Sequence, residues 1–156
     1  MAEVEIAFEG VEWDEESLTK VALQALDAFG LHGELSLVLC DDEVISQLNR
    51  DWRGVDGPTD VLSFPQEEED PFSAPLLGDV VISLPTATRQ AEELGHAVAD
   101  ELVVLLVHGL CHLLGFDHEE ADEAETMRSE ERRVLSAIGF NSDGLVGRAG
   151  DGPLHD

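Results

Sequence analysis

The sequence predicts an α+β domain, a small four-stranded mixed sheet packed with about five helices, with a zincin-like metal site on a buried helix. Short runs of alternating apolar residues interleave with segments of helical spacing. One later segment, Leu102 to Val107, is apolar on every side and therefore reads as a buried helix. That helix runs directly into histidines at metal-ligand spacing.

The elements follow in order. Val4, Ile6 and Phe8 alternate with more polar or smaller neighbours and predict a first strand. Asp14 is a helix N-cap, with Glu15 and Glu16 in the first turn and Leu18, Val21, Ala22, Ala25, Leu26 and Phe29 at helical spacing up to Gly30. Glu34 to Cys40 sets Leu35, Leu37 and Leu39 on one face, the pattern of a half-buried strand. Asp41 starts a second helix whose apolar stripe is Val44, Ile45, Leu48 and Trp52, closed by the turn-rich Gly54 to Pro58. Asp60 to Phe64 predicts a strand, Pro65 to Pro75 an acidic loop, and Gly78 to Leu84 the fourth strand. A helix then covers Thr86 to Leu94, with Pro85 at its start and Gly95 at its end; a longer one runs from Val98 to Leu114. After His118, the spacing of Ala121, Ala124, Met127, Val134, Leu135 and Ile138 predicts a last helix up to Gly139. Residues 1–139 read as one catalytic domain and residues 140–156, rich in Gly and Asp, as a disordered tail.

Length and composition set outer bounds. The 156 residues suit one domain, and the longest apolar run is too short to span a bilayer. No basic patch followed by an apolar stretch stands at the N-terminus, which points to the cytoplasm. Cys40 and Cys111 lack paired spacing and read as buried free thiols. The 35 acidic residues face only 8 basic ones, a formal charge of −27. Ordinarily that opposes nucleic-acid binding, which Lys and Arg drive by releasing counterions. Acid excess with Lys20 as the single lysine also fits a very salty cytoplasm, where a Debye length of about 3 Å at 1 M screens self-repulsion. Local arginines therefore matter more than the total.

The chemistry is concentrated in His108 to His118, HGLCHLLGFDH. His108 and His112 are four residues apart, so at 3.6 residues per turn both rings project from one helix face. Gly115 accommodates a left-handed turn that ends the helix and delivers His118 as a third ligand. Three imidazoles with a fourth position open suit a catalytic zinc ion. The histidines can instead be separately satisfied groups, but three of the chain's six, at this spacing and around a glycine, favour the shared site. Metzincin proteases share the spacing and place a glutamate base directly after the first histidine, where this chain has Gly109. Their usual proton acceptor is therefore missing.

With those residues, the chain resembles the YbeY family of metal-dependent endoribonucleases. The signature H-G-x-L-H-L-x-G-[YF]-D-H is matched by His108, Gly109, His112, Leu113, Gly115, Phe116, Asp117 and His118, with Cys111 in place of the usual leucine. Leu48, Asn49, Arg53, Gly54 and Pro58 to Phe64 are similar to a second family segment, and Leu77, Gly78, Asp79, Val80 and Ile82 to a third. The resemblance spans roughly Val4 to Gly139. It implies one zinc ion on His108, His112 and His118, cleavage of single-stranded RNA, a role in ribosomal RNA maturation at the 3′ end of the small-subunit rRNA and in ribosome quality control, and ribosomal or small-subunit protein partners. Arg53 is the implied functional arginine, suited to holding a phosphate; as a type, an arginine there is more often a solvated loop charge.

Asp117 is the other catalytic candidate, as an imidazole-orienting partner or a proton acceptor, with a turn-stabilising bond as its structural alternative. Ser63 is a weaker candidate for lining the cleft. Cys111 reads as a core residue, Thr59, Asp60 and Asp79 as structural acceptors or caps, and His32, His96 and His155 as non-ligands. Arg128, Arg132 and Arg133 read as a salt-bridged helix face rather than an RNA track. The competing functions are a zinc peptidase, disfavoured by Gly109, and a non-catalytic ribosome-assembly factor with bound zinc.

Overall fold

The computed structural model describes residues 2–65, 76–116 and 121–140. The elements are β1 (Ala2–Glu9), α1 (Glu15–Phe29), β2 (Gly33–Cys40), α2 (Asp42–Arg53), β3 (Val61–Pro65), β4 (Leu76–Ser83), α3 (Leu84–Leu94), α4 (Val98–Leu113) and α5 (Ala121–Ala137). Their order and type agree with the α+β expectation, and most ends lie within two residues of the expected ones. The sheet is mixed, in the order β1-β2-β4-β3, with β1, β2 and β4 parallel and β3 antiparallel to β4.

Alternation along the strands builds two cores. Leu35, Leu37 and Leu39 of β2 with Val80 and Ile82 of β4 face the large core, shared with α1, α4 and α5. On the opposite face, Cys40, Leu62 and Val81 pack with Ile45 of α2 in a smaller cluster. Side-chain caps fix the helix starts: Asp14 accepts from Ser17 N, Asp41 from Val44 N at 2.9 Å, and Ser83 from Thr86 N at 3.2 Å. The α4 helix crosses the large core, with every residue from Val104 to Cys111 buried.

Both cysteines are free and buried, as expected. Burial, reinforced by Asp41, pushes the Cys40 thiol up to about 12; burial, followed by Glu131, also pushes Cys111 up. Cys111 is thus a core group beside His112. Arg128 pairs with Glu125 at 2.9 Å and Arg133 pairs with Glu130, in line with a salt-bridged helix face. Among the described residues, no single helix is long and apolar enough to cross a membrane.

Two expectations are corrected. Trp52 was expected in the apolar stripe of α2, yet it is 70% exposed, while Ile45 and Asn49 are the residues that α2 buries. At the last turn of α2 the indole meets Phe64 of β3 only in an edge contact and lines a cavity, so it is left largely uncovered. Phe140, assigned to the tail, packs on the large core, and its N–H donates to Leu135 O at 2.8 Å. An aromatic ring just after a helix end contributes more by burial than by exposure. The rest of the tail, residues 141–156, and the acidic loop at 66–75 lie outside the described residues.

Candidate metal centre and its cavity

The last turns of α4 bring His108 and His112 together. Their Nε2 atoms lie 3.1 Å apart, with ring centroids 4.7 Å apart and planes at 77°. Two imidazoles sharing a tetrahedral ion at about 2.0 to 2.1 Å have their nitrogens roughly 3.3 Å apart, so the observed spacing fits a shared cation. Without a cation, one Nε2 must carry a proton to bridge the gap; a cation held by both lone pairs removes that requirement.

The proton on His108 is placed by a residue that sequence reasoning missed. His108 Nδ1 lies 2.9 Å from Glu131 Oε1, and both side chains are 2% exposed. A carboxylate only accepts, so Nδ1–H donates to it and the Nε2 lone pair is left facing His112. Carboxylate partners of this kind orient metal-binding histidines and raise their basicity. The signal was present in the sequence: Met127, Glu131, Val134 and Leu135 share one face of α5, and all four are buried. A glutamate among three core positions is out of place unless it has a partner.

The helix end follows the expected turn. Gly115 has φ +92°, its N–H donates to His112 O at 3.0 Å, and Phe116 N–H donates to Cys111 O at 3.0 Å. That pair of bonds is the Schellman arrangement, which requires a left-handed residue at this point. His118, the expected third ligand, and Asp117, the second catalytic candidate, lie outside the described residues. Among the described residues no group of three metal-binding side chains occurs.

Gly109 has a packing reason of its own. A Cβ there would stand 2.8 Å from Val80 Cγ1 and 3.2 Å from Ser63 Oγ. Position 109 therefore points into the sheet, and α4 lies so close to β3 and β4 that even a methyl group there presses on Val80. The contact is fastened by Ser63 Oγ, which donates to Gly109 O at 2.9 Å. A protease-type glutamate cannot be accommodated there without moving the helix off the sheet.

A cavity of about 200 Å³ adjoins His112 and is lined by Trp52, Arg53, Val61, Leu62, Ser63 and Phe64. It joins Arg53, and the weaker candidate Ser63, to His112 across a long stretch of sequence. Asn49 is why α2 and its following loop sit there: it is buried, and its Nδ2 donates to Gly57 O at 3.0 Å. Asp60 then caps the start of β3, accepting from Val61 N at 2.8 Å, while its carbonyl accepts from Ser83 N at 2.9 Å. Thr59 and Asp60 are both buried, in keeping with structural roles. His96 is engaged away from α4's histidine face, with Nε2 2.8 Å from Glu101 Oε1.

The sequence model of the family described as "Endoribonuclease YbeY" matches residues 3–139. A protein of Moorella thermoacetica named Endoribonuclease YbeY is 48% identical over 134 residues, covering 80% of this chain and 86% of that protein. A Halorhodospira halophila protein of the same name is 42% identical over 146 residues, 89% of this chain and 95% of that one. Among solved structures, the solution structure of TM1509 from Thermotoga maritima is similar, with TM-score 0.56 and 25% identity over 86% of this chain and 91% of that one.

Proposed function

The chain belongs to the YbeY family of endoribonucleases, and from that premise we propose that it is a zinc-dependent enzyme cutting single-stranded RNA during ribosomal RNA maturation and ribosome quality control. Its substrate is the 3′ end of the small-subunit rRNA, reached in the cytoplasm with the help of ribosomal or small-subunit proteins. Residues 1–139 form the catalytic domain. The reading is carried by one observation: the Nε2 atoms of His108 and His112 converge to 3.1 Å, and His112 lines the cavity that Arg53 also lines.

In this reading His108, His112 and His118 hold one zinc ion, which supplies Lewis acidity toward a phosphoryl oxygen and lowers the pKa of bound water. Glu131 keeps the His108 proton on Nδ1, so that its Nε2 lone pair always faces the site. Arg53 holds the phosphate through its forked N–H groups and neutralises charge that develops on the non-bridging oxygens. Asp117 accepts a proton or orients one of the ligand imidazoles. Gly109 supports phosphodiester over peptide chemistry, because its backbone is packed where a protease carries its base.

Incubating the purified protein at molar salt with single-stranded RNA and with an unfolded protein, each with and without chelator, tests this. RNA cleavage is expected to stop with chelator and in His112→Ala, with the protein substrate left intact. Full-rate RNA cleavage by His112→Ala sinks the zinc mechanism; chelator-sensitive proteolysis restores the peptidase.

A further inference from the structure

Trp52 is a large aromatic side chain left 70% exposed at a position whose helical spacing belongs with the core. It is nonetheless held in place. Its ring stands against Phe64 at 5.9 Å between centroids, with the planes at 61°, an edge-to-face contact that fixes one side of the indole. Trp52 lies next to Arg53 at the last turn of α2, and both line the cavity that reaches His112. The Asn49 bond to Gly57 O and the closure of α2 at Gly54 anchor that turn. An anchored, exposed indole beside a guanidinium and a candidate metal centre forms a flat apolar platform next to a phosphate-binding group.

Charge narrows what such a platform is for. At −27, the chain cannot draw in RNA by long-range attraction. At about 1 M salt, counterion release contributes little to anyone's binding. Stacking of a base on an aromatic face survives both conditions, because it depends on neither net charge nor ionic strength, and it is open only to a base that has left its own helix.

Resting on the reading of the chain as an RNA-cleaving enzyme, we propose that Trp52 is a stacking platform for an unpaired nucleobase, seating the nucleotide whose phosphate Arg53 holds. The platform then selects single-stranded substrate, since a paired base cannot reach the indole face.

The test uses the zinc-loaded full chain at molar salt, a short 2′-O-methyl oligoadenylate, and a matching oligomer that keeps the phosphates but carries abasic spacers. In a Trp13→Phe background Trp52 is the remaining indole, because the chain has two tryptophans. The oligoadenylate is expected to quench its fluorescence, and the abasic oligomer is not. Trp52→Ala is expected to weaken oligoadenylate binding about 5- to 150-fold, the range for loss of one stacked base, and to leave abasic binding unchanged. Trp52→Phe, which keeps a ring, is expected to recover most of the loss. Equal weakening of both oligomers, or of neither, in a variant with unaltered circular dichroism overturns the platform while leaving RNA cleavage standing. Wild-type chain that neither binds nor cleaves RNA overturns both readings together.

Discussion

Two histidines near opposite ends of α4 each meet a buried glutamate, and only one of them is built into a candidate centre. His96, just before the helix, places Nε2 2.8 Å from Glu101; His108, in its second turn from the end, places Nδ1 2.9 Å from Glu131. The pairing distance is nearly the same, and both glutamates are buried, although His96 is 15% exposed and His108 2%. What differs is the other nitrogen. The Nδ1 of His96 is buried with no hydrogen-bond partner among the described residues, whereas the Nε2 of His108 faces a second imidazole beside a cavity. A histidine–carboxylate pair is therefore a structural device by default, and it becomes a candidate ligand when the remaining lone pair converges with others.

That contrast can be broken by mutation. The largest effect is expected from His112→Ala, which should lower zinc affinity more than about 100-fold, beyond the range for loss of a supporting partner, while His96→Ala leaves it unchanged. Titration calorimetry of the two variants measures it. Next, Glu131→Gln is expected to lower zinc affinity about 10- to 100-fold, and Glu101→Gln not at all. Equal affinities in these two variants would erase the distinction between the pairs. Glu101→Ala should instead lower unfolding free energy by about 1 to 3 kcal/mol, because it strands a half-buried imidazole, with zinc affinity intact. Urea unfolding and calorimetry on one sample separate those outcomes.

Smaller effects probe the surroundings of each pair. Gly109→Ala gains about 1 kcal/mol of helix propensity and loses about 1 to 3 kcal/mol by overpacking against Val80, for an expected net loss near 1 kcal/mol. A stabilised variant would show that α4 is not seated as tightly as its histidines require. Asp42 supplies a carboxylate comparison outside α4. Burial works to raise its carboxyl, but hydrogen bonds from Ser83, Thr86 and Arg89 outweigh it and hold the group below its ordinary 3.8. A depressed carboxyl stabilises the fold fully above the ordinary value and loses that contribution as pH falls through the lower one. Asp42→Asn should thus cost about 1 kcal/mol at neutral pH and distinctly less in strong acid, as read by urea unfolding at both.

Much of the site was legible in the chain. The spacing of His108 and His112 fixed a shared helix face, and Gly115 fixed the turn, because both are local consequences of helical periodicity and backbone sterics. Glu131 escaped, although its apolar neighbours Met127, Val134 and Leu135 marked it as buried, because a partner 23 residues away has no local signature. Trp52 departs from the buried stripe since periodicity reports which face a residue occupies and not how completely its neighbours cover it.

The sequence by itself determined the order and type of the elements, the two-faced strands and the helical pair of histidines, all set by short-range patterns. Only the tertiary structure decided that Glu131 directs the His108 proton, that Gly109 is pressed against β4, and that Arg53 and Trp52 share a cavity with His112. Those relations depend on where separate elements come to rest, which is settled by the packing of the whole core rather than by any segment of it.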